Sequence, residues 1–293
     1  MTPGTESNPF VGLRPYESHE SILFFGRNDQ TLELLQKLHE FRFLAVIGSS
    51  GSGKSSLIKA GLIPRLKAGY LVNVQSNWAI AIMKPGQDAL LNFAEAILEL
   101  LPGNNNKFTA YDLKEEIQET GVEAILDLLS LLQENNTNFF LVVDQFEELF
   151  RFALNKKGIV KKNESTDFVN ILLNLSRQKN VNFYVAITMR SDFIGDCARF
   201  YGLPEAINKG LYLVPRLTRT QLETTIEAPV RLYDHKISAA LTTKLLNDAQ
   251  MMQDTLPLLQ HVLMRTWDHE MNVDKSGELD LKDYESVGGI EKA

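Results

Sequence analysis

The sequence predicts an α/β protein, with a mainly parallel sheet covered by helices and a small helical part after it. Three observations predict this. As far as Pro215, short runs that are apolar on both faces alternate with stretches of helical periodicity, the pattern of a sheet buried on both sides. A glycine-rich segment follows one of these runs and opens a helix. Beyond Pro215 the long apolar runs stop and helical periodicity continues alone.

The elements follow in order. Residues 8–16 (NPFVGLRPY) form an irregular lead-in rich in proline and glycine. Asn28 is placed to cap a helix reaching about Glu40, with Leu32, Leu35 and Leu38 on its buried side. A buried strand is expected over 41–47, then a helix from Lys54 to about Leu66. A strand over 71–75, a helix over 87–101 and a polar loop over 102–110 come next. Helical text resumes to about Glu134, with Leu126, Leu129 and Leu132 at helical spacing. Strands are expected over 139–143, 181–188 and 211–214, and a helix over 167–178. The last three helices are read over 218–227, 239–251 and 254–270. Pro257 falls in the first turn of the last one, where its missing N–H costs little, and Leu256, Leu259, Leu263 and Trp267 form its apolar stripe.

Bulk properties exclude several classes. The 293 residues are 44% hydrophobic and 23% charged, enough to bury a sizeable core. A net charge of -7 argues against the broad positive field that non-specific nucleic-acid binding requires. Cys197 is the only cysteine, so no intramolecular disulfide or cysteine-based zinc site is available. The five histidines and seven methionines show no metal-ligand spacing. Neither a secretory leader nor an apolar run of membrane-spanning length is seen, and the expected setting is cytoplasmic, without membrane contact.

The chemistry concentrates in Gly48-Ser49-Ser50-Gly51-Ser52-Gly53-Lys54-Ser55, which fits G-x-x-x-x-G-K-[ST], the Walker A pattern of P-loop NTPases. Small residues let successive backbone N–H groups curl around a polyphosphate, and the following helix presents its positive end. Lys54 is expected at the β- and γ-phosphates and Ser55 on magnesium, with Ser56 beside them in the same turn. The run 139–143 ends in Asp144, a Walker B candidate for holding magnesium. Glu147 and Glu148 are each candidates for orienting the attacking water, and each also reads as a solvated acidic helix start. Arg190, beyond the strand expected over 181–188, can stabilise the γ-phosphate or simply pair with Asp192. Arg27, on a glycine turn, can reach the nucleotide from the N-terminal side. No guanine-specifying N-K-x-D element is present, which leans toward ATP.

These elements resemble, in order, the STAND class of signalling P-loop ATPases, in particular the novel STAND type found before WD-repeat or other sensor domains. The resemblance rests on NPFVGLRPYE (8–17), FFGR (24–27), IGSSGSGKSSLIKAGLIP (47–64), LVVDQFEELF (141–150), TMRSDF (188–193), LVPRLTRTQLETTIEAP (213–229) and TLPLLQHVLMRTW (255–267). It implies that Arg27 lies against adenine and ribose, that Arg190 is a γ-phosphate sensor and that Pro257 packs on the adenine of bound ADP. Asp144 matches the magnesium aspartate. Gln145 after it departs from the aspartate–glutamate form, and the pair Glu147 and Glu148 is closer to NACHT-type relatives. The implied domains are a lead-in (1–22), a P-loop nucleotide-binding domain (23–215), a helical domain (216–283) and the start of a truncated winged-helix domain (284–293). The implied function is an ATP/ADP switch that hydrolyses slowly, answers to a C-terminal sensor domain absent from this chain and forms a homo-oligomer on activation. Alternatives are a nucleotide-binding scaffold without hydrolysis, a constitutive remodelling ATPase, and a small-molecule kinase. The kinase lacks the arginine-rich lid that its chemistry needs.

Overall fold

In the computed structural model, β1 (Phe43–Gly48), β2 (Trp78–Met83), β3 (Asn138–Val143), β4 (Phe183–Arg190) and β5 (Leu211–Leu213) form one sheet. Their order is β2-β3-β4-β1-β5 and every neighbouring pair is parallel. The structure describes residues 8–70, 77–101, 109–130, 137–153, 160–251 and 255–290. The central strands β1 and β3 are buried at every position and β4 at all but its last, as expected of strands covered on both faces.

By its contacts the chain divides into two compact units. A sheet unit comprises Glu33–Gly48 and Arg65–Leu213, and a helical unit comprises Met1–Leu32, Ser49–Pro64 and Val214–Ala293. In the sheet unit, helices Ala89–Glu99, Ala110–Thr120, Val122–Ser130 and Val160–Arg177 supply Phe93, Ile97, Leu113, Ile125 and Phe168 to a core shared with Phe139, Leu141 and Phe183. Local signals start these helices. Asp88 accepts a hydrogen bond from the Leu91 N–H, and Thr109 forms a capping box with Asp112.

The helical unit has its own core, in which Phe10, Tyr16 and Leu23 join Ile226, Leu245, Leu259, Leu263 and Trp267. Helices Arg219–Leu232, Ala239–Met251 and Thr255–His269 carry most of it, the first opened by a Thr218–Gln221 capping box. Polar contacts fasten the lead-in to these helices. Asn8 donates to the Met264 carbonyl at 2.8 Å, and the Tyr16 hydroxyl donates to Gln260 Oε1 at 2.8 Å. Burial pushes the Tyr16 phenol well above its ordinary range, so it stays a donor. The buried acids here also have partners: Glu270 accepts from the Ser276 and Gly277 N–H groups, and Asp283 from His269 and the Asp280 N–H.

Several expectations change in detail. Asn28 is the first residue of helix Asn28–Phe41, and Leu34 joins Leu35 and Leu38 on its buried side while Leu32 is exposed. The helix runs on to Phe41, and β1 starts only after Arg42, whose φ of 55° breaks the path between the two. β2 was not expected. The strand read at 71–75 lies outside the described residues, as do Leu132 and most of the loop over 102–110. The helical text before Glu134 is two helices parted at Gly121, whose φ is 69°. A 3-10 segment Ser191–Arg199 and a helix Leu203–Gly210 fill a stretch to which no element was assigned. The helical part also holds a two-residue parallel pair, Lys236–Ile237 with Glu278–Leu279, and a short helix Leu281–Ser286. Among the described residues no helix is long and apolar enough to cross a membrane.

Candidate functional site

The glycine-rich loop leaves β1 at Gly48 and turns into a helix at Lys54. Gly51 and Gly53 have φ of 68° and 86°, left-handed values that glycine reaches without a Cβ penalty. The Lys54 ammonium curls back to the Ser49 carbonyl at 2.6 Å, so the cation sits across the mouth of its own loop. Ser56 accepts from the Tyr16 N–H at 3.1 Å, which ties it to the lead-in. Helical hydrogen bonding continues over 54–67, widening to the π type across Leu57–Leu62.

Arg27 is buried, at 4% exposure. Its guanidinium donates to the Pro215 carbonyl at 2.8 Å and to the Ser52 carbonyl at 3.3 Å, so one side chain holds both the loop and the stretch that enters the helices. Beside it lies a cavity of about 180 Å³ wholly within the helical unit. Val214, Leu217, Leu222, Ala249 and Leu256 give it an apolar lining. Ser49, Gly51 and Ser52 of the loop, with Arg27, Pro215, Arg216 and Gln250, complete the lining. A cavity of roughly 150 Å³ takes one benzene ring, so this one has the size for a flat ring system rather than a whole nucleotide. Among the described residues no carboxylate lines it, and both charged residues on the lining are arginines. Pro257 is half-buried and is not among the lining residues; its neighbour Leu256 is, and Leu256 lies 3.7 Å from where a Cβ on Gly53 would stand.

The sheet unit carries the other candidates at the carboxyl ends of its strands. Gly48 stands opposite Arg190 in the β1–β4 ladder. Asp144 is buried just past β3, and its Oδ1 accepts from the Thr188 hydroxyl at 2.6 Å. The same hydroxyl accepts from the Gln145 N–H at 3.0 Å, while the Thr188 carbonyl accepts from the Phe146 N–H at 2.8 Å. This strap holds Gln145 in a left-handed turn, with φ of 58°, and fixes where the aspartate points. Phe146, Leu149 and Phe150 face the core, and the two glutamates part accordingly. Glu147, at 6% exposure, accepts weakly from the Arg190 N–H at 3.4 Å, and Glu148, half-buried, accepts from the Gly86 N–H at 3.0 Å. Arg190 ends β4 and pairs with Asp192 at 2.5 Å, which holds that carboxyl below its usual range.

Sequence reasoning missed most of the cavity. Val214, Arg216, Leu217, Leu222, Ala249 and Leu256 come from three stretches with no shared local pattern. Thr188 was legible only as a strand residue, although its position one step past the Val143–Ile187 pair puts it level with Asp144.

A glycine loop between a buried strand and a helix, on an all-parallel sheet, defines a P-loop ATPase fold, and solved structures agree. The ORC2 protein of Aeropyrum pernix, determined in ADPNP–ADP complexes, has a TM-score of 0.54 at 11% identity over 89% of this chain and 66% of that one. Drosophila ORC bound to DNA gives 0.52 at 12%, over 90% and 60%. The Walker-type ATPase paby2304 of Pyrococcus abyssi gives 0.50 at 14%, over 89% and 71%. This chain thus spans under two thirds of the length of the first two. No curated protein matches it. The family pattern of novel STAND NTPase 1 matches residues 9–293, and the chain belongs to that family.

Proposed function

We propose that this chain is an ATP/ADP-binding switch module that hydrolyses ATP slowly and controls self-association of a larger protein. One observation carries the reading: a ring-sized cavity with an apolar side of Val214, Leu217, Leu222, Ala249 and Leu256, and with no carboxylate among the described residues, shares its lining with a glycine loop of the kind that holds phosphate. The base goes to the cavity, with Leu256 against it and Pro257 at the same helix turn, and Arg27 keeps loop and cavity in register. A guanine site needs an acceptor for its N1–H and amino group, commonly a carboxylate, and the described residues of the lining offer none, which supports adenine.

The backbone N–H groups of Gly48 to Ser55 cradle the phosphates, and Lys54 exchanges the Ser49 carbonyl for a phosphate oxygen. Ser55 and Asp144 are the oxygen donors suited to magnesium, a hard cation. Asp144 keeps one carboxylate oxygen on Thr188, which aims the other. Magnesium, when bound, neutralises phosphate charge. Glu147 is the better candidate for orienting water, because Glu148 is held by the Gly86 N–H in the turn after β2. Arg190 must leave Asp192 to reach a γ-phosphate. In this reading ADP holds the module closed, and exchange for ATP, prompted by a C-terminal sensor domain, releases it to form a homo-oligomer in the cytoplasm. The domains run 23–215 for the nucleotide and 216–283 for the lever, and 284–293 begin a winged helix.

The test is to purify the chain without added nucleotide, denature it and identify what it carried. Stoichiometric ADP supports the locked switch. An empty protein that turns ATP over quickly without a partner refutes the lock and favours a cycling remodelling ATPase. A second reading, a scaffold that binds without hydrolysis, is favoured by the engagement of both glutamates with backbone N–H groups. Glu147→Gln and Glu148→Gln decide it: phosphate release unchanged in both removes them from catalysis.

A further inference from the structure

We propose that Arg216 is a second phosphate-binding cation of the cavity, by which the stretch entering helix Arg219–Leu232 senses the charge of the bound nucleotide. The proposal rests on the nucleotide reading above and adds a residue that neither motif nor resemblance assigned. The two arginines on the lining differ in kind. Arg27 is buried and spends its guanidinium on two carbonyls. Arg216 is exposed, and its guanidinium takes no hydrogen bond or ion pair among the described residues. An exposed arginine on a lining that has no carboxylate among the described residues has an anion as its natural partner.

The backbone makes that partnership specific. The ring of Pro215 fixes its φ, and its carbonyl is held by Arg27 at 2.8 Å. The same guanidinium reaches Ser52 of the phosphate loop, so a single buried side chain sets the distance between Arg216 and that loop. The backbone there has little freedom left to lose when Arg216 closes on a phosphate, so the ordering cost is confined to the side chain. Two residues later Thr218 caps helix Arg219–Leu232. Capture of Arg216 therefore orders the chain at the point where that helix begins. The ligand class is a nucleoside polyphosphate, with Arg216 serving the phosphate and not the ring.

The experiment is calorimetric titration of ADP into wild type, Arg216→Ala, Arg216→Gln and Arg216→Lys across a range of sodium chloride concentrations, with melting curves to confirm folding. Arg216→Ala and Arg216→Gln should weaken ADP binding about tenfold at low salt and flatten its salt dependence, while Arg216→Lys keeps most of the slope. Weakening with an unchanged salt slope, or no weakening in either neutral variant, overturns the role of Arg216 and leaves the nucleotide reading standing. A wild type that binds no ADP or ATP overturns both.

Discussion

In the sheet unit, Phe139 and Phe183 stack at 6.3 Å on adjacent strands, and Phe93 meets Phe168 edge-on at 5.8 Å, all at zero exposure. The helical unit is closed differently. Its fastenings are polar and join distant parts of the chain: Asn8 to Met264, Tyr16 to Gln260 and Arg27 to Pro215. One unit is built on strands that pair side by side with apolar packing between them. The other gathers three separated segments, and each polar contact there holds a long loop closed. Apolar burial is tolerant of small errors, whereas a buried donor without its acceptor costs the full desolvation of the group left behind. Single substitutions at these polar fastenings should therefore destabilise the helical unit.

The largest expected effect breaks the sheet unit at its tightest point. A Cβ on Gly210 would stand 1.9 Å from the Phe43 carbonyl oxygen, and both are backbone. Gly210→Ala should cost about 4 kcal/mol or more, read by urea unfolding; a near-neutral result would mean the two segments separate freely. Phe10→Ala comes next. Phe10 is 2% exposed in the helical core, and its truncation should cost about 3 kcal/mol. Amide exchange should then quicken in helices Arg219–Leu232 and Thr255–His269 while β3 and β4 keep their protection. Equal loss in both units would show that they unfold as one. Tyr16→Phe is smaller, at about 1–2 kcal/mol, because it keeps the ring and leaves Gln260 Oε1 buried without its donor. No measurable cost would undo the claim that polar fastenings hold the helical unit.

The same contrast explains what the sequence disclosed. β1, β3 and β4 were legible because each is apolar on both faces, and helix Ala239–Met251 because its periodicity is unbroken. β2 was missed although Trp78-Ala79-Ile80-Ala81-Ile82-Met83 is apolar. It is an edge strand with Ile82 partly exposed, and the preceding run 71–75 competed for the same place. Leu32 and Leu34 are both compatible with helical spacing, and only the packed neighbours decide which is buried. The loop Gly48 to Ser55 is a contiguous pattern and was read whole. The cavity is not: Arg27, Arg216 and Leu256 share no local period, so only folding brings them onto one lining.

The smallest effect offers the sharpest separation of the two units. Cys197 belongs to the sheet core, its sulfur 3.7 Å from both Met189 Sδ and the Phe193 carbonyl. Burial pushes its thiol up to about 12. At pH 8 roughly one thiol in ten thousand is then ionised, and alkylation of the folded protein should be correspondingly slow. The native rate should rise about tenfold per pH unit up to that value, since only the thiolate reacts. Because the folded thiol resists ionising, its contribution to stability is complete below the ordinary thiol range and is lost as pH rises toward 12. At pH 8, where this loss is absent, alkylation reports opening of the sheet unit. Gly210→Ala should speed it and Phe10→Ala should leave it near the wild-type rate. If Phe10→Ala speeds it as much as Gly210→Ala does, the helical pack supports the sheet, and independence of the two units is refuted.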